Sequence, residues 1–173
     1  MRTSVVITRA LLASAVLVLA SATSARADEC PASKVDIGDW PIVRSARVPG
    51  FTLRLPRSFA RDSSQGSRAA GPSAGWSDTA GARFTMTHRS TDAMPAASLP
   101  PSEGASPSTS CETRVGAATA TIVAYGAGPS AYVIHARIRW PDGESVDVRA
   151  DAANPTHLEL LLAAVRTIRR AGA

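Results

Sequence analysis

Chemistry in a chain of 173 residues must come from nucleophiles, imidazoles, thiols or clustered charges, and these are sparse here. Gly71-Pro72-Ser73-Ala74-Gly75 matches G-x-S-x-G, which exposes a serine when a strand feeds a sharp turn and a helix follows. A polar loop precedes this stretch and a Trp-containing hairpin follows it, so the local sequence favours a simple turn. A small secreted hydrolase using Ser73, or a His/Asp group that no motif reveals, is the rival function. His88, His135 and His157 form no H-E-x-x-H pair, and the carboxylates are scattered rather than paired. Gly126 and Gly128 border a turn between strands, not the strand–helix junction of a phosphate loop. These patterns assign no catalytic residue, no metal ligand and no cofactor. His157 is expected to be solvated in a first helical turn, and His135 to lie on a solvated strand face with Arg137 and Arg139.

Arginine and cysteine carry more information. Between Trp40 and Arg61 stand Arg44, Arg47, Arg54, Arg57 and Arg61, with no acid among them. Arg44, Arg54 and Arg57 are the candidate ligand-binding residues, because a guanidinium fork matches phosphate or carboxylate groups. The competing pair, Arg137 and Arg139, faces Asp147 across a hairpin, which should partly neutralise it. Lys34 is the only lysine, so the arginine excess also reflects the codon bias of a GC-rich bacterial genome. Cys30 and Cys111 are the only cysteines. In an exported protein such a pair favours a disulfide.

Export follows from residues 1–27. Arg2 and Arg9 are followed by an uncharged, mostly apolar run from Ala10 to Ala22, then by Ala25-Arg26-Ala27, an A-x-A cleavage site. The run is shorter than the roughly 20 residues a spanning helix needs. Cleavage is expected before Asp28, giving a signal peptide at 1–27 and one exported domain at 28–173. Asp28 and Glu29 directly before Cys30 argue against a lipid anchor there. The signal removes three arginines and lowers the formal charge from +5 to +2. That balance gives no support for nucleic-acid binding, which calls for a clustered basic surface. No later segment is apolar enough to span a membrane, so the destination is the periplasm or the extracellular medium.

The elements that would position these groups read as follows. Ile42–Val48 and Phe51–Leu55 are short strands around a Pro49-Gly50 turn, and Phe51, Leu53 and Leu55 alternate with Thr52 and Arg54. Residues 56–62 have room for a short helix, and 61–71 have loop composition. Thr79-Ala80-Gly81 is a three-residue hairpin loop that sets Trp76 opposite Phe84. Residues 90–110, with four prolines, read as a mobile Pro/Ser-rich loop. Thr119, Thr121, Val123 and Tyr125 alternate, as do Tyr132, Ile134, Ala136, Ile138 and Trp140. Pro141-Asp142-Gly143 turns the chain so that Ile138 meets Val146 and Arg137 meets Asp147. Asn154 and Pro155 start a helix. Its stripe of Leu158, Leu161, Leu162, Val165 and Ile168 should dock on the Tyr132-Ile134-Ile138-Trp140 face, with Leu162 near its middle. Arg166, Arg169 and Arg170 would close its last turns. The fold class is α+β: an antiparallel sheet of about six to seven strands with a C-terminal amphipathic helix on one face. The alanine-rich composition supplies little side-chain volume to bury.

The Gly50-Phe51-x-Leu53-x-Leu55-Pro56 strand, the Trp-containing hairpin, the long hairpin and a final helix ending in Thr167-Ile168-Arg169 resemble the Mog1/PsbP-like group and bacterial exported proteins similar to it. The resemblance covers roughly residues 41–170 and implies a central antiparallel sheet flanked by helices. The group is functionally mixed, so it carries over no catalytic residue. The expected function is a non-enzymatic envelope binding or accessory module. Its partner would be an anionic envelope component. A passive secreted protein acting through a protein partner is the other alternative.

Overall fold

The computed structural model describes residues 29–62, 71–89, 107–127 and 129–171. The expected signal peptide at 1–27, the cleavage point before Asp28 and most of the loop expected at 90–110 lie outside these residues. Among the described residues the chain forms β1 (Ile42–Ser45), β2 (Val48–Arg54), β3 (Ala60–Asp62), β4 (Ser73–Ser77), β5 (Arg83–Arg89) and β6 (Pro107–Val115). It continues through β7 (Ala118–Gly126), β8 (Tyr132–Arg139), β9 (Ser145–Ala152), α1 (Pro155–Arg166) and β10 (Arg169–Arg170). Seven strands pair antiparallel in the order β3-β4-β5-β9-β8-β7-β6, and a second sheet has the order β1-β2-β10. The class is α+β, with mostly antiparallel sheet and one C-terminal helix.

The two hairpin registers follow from their turns. Thr79-Ala80-Gly81 sets Trp76 opposite Phe84, and Pro141-Asp142-Gly143 sets Ile138 opposite Val146 and Arg137 opposite Asp147. Gly81 and Gly143 both have φ of 91°, the left-handed conformation that a side chain resists. Asp78 stiffens the first loop by accepting from the Ala80 and Ala82 amides at 3.0 and 2.9 Å.

One face of the large sheet is the core. Phe84, Met86, Ile122, Ile134, Ile138 and Val146 on it are 0–1% exposed. α1 lies over β8 and β9, and β2 lies over β5. Phe51 of β2 packs between His88 and Trp140, with ring centroids at 5.1 and 5.2 Å. The inward residues of β7 are Ala118, Ala120, Ile122 and Ala124, all buried. Thr119, Thr121 and Val123 point to the opposite face. Alanine is therefore core here. Ala136, Ala150 and Ala152 of the sheet face a helix that itself buries Ala163 and Ala164. Small residues on both sides let helix and sheet approach closely, so modest side chains suffice for a close-packed interior.

Several expectations need correction. The sheet is not single: a separate three-stranded sheet is present. The first turn is at Ala46-Arg47, where the Ser45 hydroxyl accepts from the Arg47 amide at 3.1 Å, while Pro49-Gly50 is an irregularity inside β2. Residues 56–62 form a turn and β3, not a helix. Pro107–Ser110 belong to β6 rather than to a loop. The helix stops at Arg166, because the Thr167 hydroxyl turns back to accept from the Arg54 amide at 2.8 Å. The chain then pairs Arg169 with Thr52 as β10. Leu162 is not the centre of the stripe. With about 100° per residue, Leu161, Ala164, Val165 and Ile168 face the sheet, and Leu158 and Leu162 turn sideways, only partly buried.

Leu161→Ala is therefore expected to cost about 2–5 kcal/mol, and Leu162→Ala clearly less, in urea unfolding of the protein. The reverse order would mean that the helix is rotated. Asp147 gives a pH test. Burial opposes its charge, but hydrogen bonds from Arg137 at 2.7 and 3.1 Å and from Arg89 at 2.9 Å outweigh burial and lower its pKa. A depressed carboxylate stabilises the fold fully above the unfolded carboxylate range, and that contribution is lost as pH falls through the folded value. Asp147→Asn should cost about 1–3 kcal/mol at pH 7. The gap to wild type should close as pH drops below about 4. A gap that is constant with pH would contradict the assignment.

Candidate functional site

The expected Cys30–Cys111 disulfide is formed, with a Cα separation of 4.8 Å across 81 residues of sequence. It fastens an irregular segment, residues 29–40, to edge strand β6. The Cys30 amide donates to the Glu112 carbonyl at 2.9 Å, and Glu29 bridges in parallel to Glu112. The segment then runs past the side of α1, where an Arg166 guanidinium nitrogen donates to the Pro31 carbonyl. Between this strap, α1 and the sheet lies a cavity of about 350 Å³. Ile122 and the disulfide line it from the sheet, Leu158 and Leu162 from the helix, and Val35 from the strap. Lys34, Glu159 and Arg166 bring charge to it. Arg166 Nε is buried and has no acceptor among the described residues. A largely apolar cleft with Lys34 and Arg166 in its lining suits a small ligand with an apolar body and an acidic group at one end.

The candidate arginines are brought together in part. The pairs Arg44–Thr52 and Ile42–Arg54 place Arg44 and Arg54 on the outward face of the three-stranded sheet. Arg169, also paired to Thr52, joins the same face. Arg44 is exposed, but Arg54 donates to the Trp40 carbonyl at 2.8 Å and acts partly as a structural tie. Arg57 is exposed in the turn beyond Leu55, outside the sheet.

Ser73 begins β4 opposite Thr87, so it lies on a strand and not on a strand–turn–helix elbow. The histidines are far apart. His157 is not simply solvated: its Nε2 lies 3.5 Å from an Asp78 carboxylate oxygen, its side chain is 11% exposed, and Asn154 caps its amide at 2.8 Å. His88 packs tilted against Phe51 with its Nε2 3.9 Å from Glu144. His135 lies on the polar sheet face, edge-on to Tyr125 at 6.0 Å. Burial, and then the nearby Arg149 charge, lower its pKa and favour the neutral ring. Among the described residues no group of three or more His, Cys, Asp or Glu could hold a metal ion.

The cleft residues escaped sequence reasoning, although a signal existed. Leu158, Leu162 and Arg166 are spaced four apart, a second helical row beside the core row. Only the position of the strap, fixed by a bond between distant residues, shows what that row faces. In comparison with known proteins, no family model matches the chain and no curated protein matches it.

Proposed function

We propose that the chain is an exported, non-enzymatic envelope binding or accessory module, and that its ligand occupies the cleft beneath the disulfide-held strap. The observation that supports this reading is the cleft itself: about 350 Å³, largely apolar, with the cations Lys34 and Arg166 in its lining. That volume and lining fall within the range of small-molecule sites. The ligand class is an amphiphile with an apolar body and an acidic head. The disulfide, and the lack among the described residues of any helix long and apolar enough to cross a membrane, are compatible with export. We also propose a likeness to the Mog1/PsbP-like group, supported by the sequence motifs of β2, the hairpins and the final helix.

A second reading keeps Arg44, Arg54 and Arg57 as contacts to an anionic envelope component. It is favoured by the register that puts Arg44, Arg54 and Arg169 on one outward face. One experiment separates the two. Anilinonaphthalene sulfonate has an apolar body and an acidic head, and it should bind the folded mature chain saturably. Leu162→Trp, which fills the cleft, should weaken that binding about tenfold or more while leaving circular dichroism unchanged. Binding that survives Leu162→Trp but falls with salt and in the Arg44/Arg54/Arg57 triple alanine variant would move the site to the arginine face. Absence of saturable binding would contradict both readings.

A further inference from the structure

The face of the large sheet opposite the core is polar, and its charges are not evenly compensated. Strand register sorts it into rows. One row runs Glu112–Thr121–Arg137–Asp147–Thr87 across β6, β7, β8, β9 and β5. Its carboxylates are engaged: Asp147 takes hydrogen bonds from Arg137, and the Thr121 hydroxyl lies 3.3 Å from a Glu112 carboxylate oxygen. The next row toward the β6–β7 and β8–β9 turns runs Arg114–Thr119–Arg139–Ser145–Arg89. It alternates guanidinium and hydroxyl groups and contains no acid. Arg89 reaches back to Asp147 at 2.9 Å. Arg114 and Arg139 have no carboxylate partner among the described residues, and both are exposed. The acids of the adjacent turn, Asp142 and Glu144, are engaged by Arg170.

Arg114, Thr119 and Arg139 also line one open surface depression of about 430 Å³, together with Trp140 and Pro141. Neighbouring strands are about 4.8 Å apart, so the two arginine stems stand roughly 10 Å apart with the threonine hydroxyl between them. Two guanidinium forks converging from that separation can each give a charge-assisted pair of hydrogen bonds to one tetrahedral oxyanion, with a hydroxyl below it. A row of three arginines and no acid, of which only Arg89 reaches a carboxylate, is also the pattern expected where a ligand supplies the missing charge.

We propose that Arg114, Thr119 and Arg139 form a binding site for a phosphate group, distinct from the strap cleft and independent of it. The ligand is a phosphate-bearing molecule whose anion sits between the two arginines. The test is calorimetric titration of the oxidised mature chain with inorganic phosphate and pyrophosphate, against chloride at equal ionic strength. Saturable binding is expected. Arg114→Gln and Arg139→Gln should each weaken it about tenfold, and Arg149→Gln, an exposed arginine of the same face paired with Asp151 at 3.2 Å, should not. Flotation with phosphatidylglycerol and phosphatidylcholine vesicles tells a lipid source from a soluble one. Capture by the former that is lost in the Arg114/Arg139 double variant assigns the phosphate to a headgroup, and solution binding without capture assigns it to a solute. No saturable heat with either anion, or equal affinity in the double variant, overturns the site. Neither outcome bears on the cleft, because Leu162 plays no part in it.

Discussion

The bond between Cys30 and Cys111 is the constraint on which the candidate site depends. Fixing one residue's backbone costs about 1–2 kcal/mol, and the strap has little regular structure to offset that. Its near end is tied to the large sheet by the Glu29–Glu112 bridge and the Cys30 amide hydrogen bond, its far end by buried Trp40, and between them Val35 and Ile37 are only partly buried. Closing a loop of about 80 residues contributes about 4 kcal/mol in the chain-entropy model. The disulfide thus holds a polar, irregular segment against a helix flank that would otherwise face water. The cleft is the space left because that segment lies across Leu158 and Leu162 without filling the gap to Ile122.

The rest of the fold follows from burying one side of a sheet. Alternating residues of five central strands supply a core face of alanine, valine, isoleucine and aromatic residues. α1 and the three-stranded sheet cover it side by side. The second sheet, built on the β1–β2 hairpin, gains its third strand because the chain after the helix returns to β2, tied by Thr167 and by pairing to Gly50 and Thr52. With both coverings on one side, the other face is left to charges. Cross-strand pairing then decides which charges cancel: Asp147 holds two arginines, and one row is left with a surplus. The fold's stability and its charge pattern therefore come from the same register.

Much of this register was legible in the sequence. The Gly81 and Gly143 turns, the Trp76–Phe84 and Arg137–Asp147 pairs, the Asn154-Pro155 helix start and the disulfide all follow from local turn chemistry or from counting two cysteines. What was not legible depended on distant contacts. Nothing local says that Arg169-Arg170 leave the helix to pair with β2. Nothing local says which side of β7 is buried, since Thr119, Thr121, Val123 and Tyr125 form a more conspicuous alternation than the alanines that pack. Leu162 reads as core because the stripe is wider than the sheet contact. For the site, Arg44, Arg54 and Arg57 stood out by composition, whereas Arg114 with Arg139 and Leu162 with Val35 become neighbours only through pairing and through the staple.

The central claim is that the staple shapes the cleft while the sheet and helix hold themselves. Amide hydrogen exchange on the protein, oxidised and then reduced with its thiols alkylated, tests this most directly. The account predicts that the Cys30 amide, which donates to Glu112 across the strap junction, loses its protection on reduction. The amides of Ile134, Ala136 and Ile138 in β8 should remain slow. A Cys30 amide still protected after reduction, or protection lost together in the strap and β8, would contradict the account.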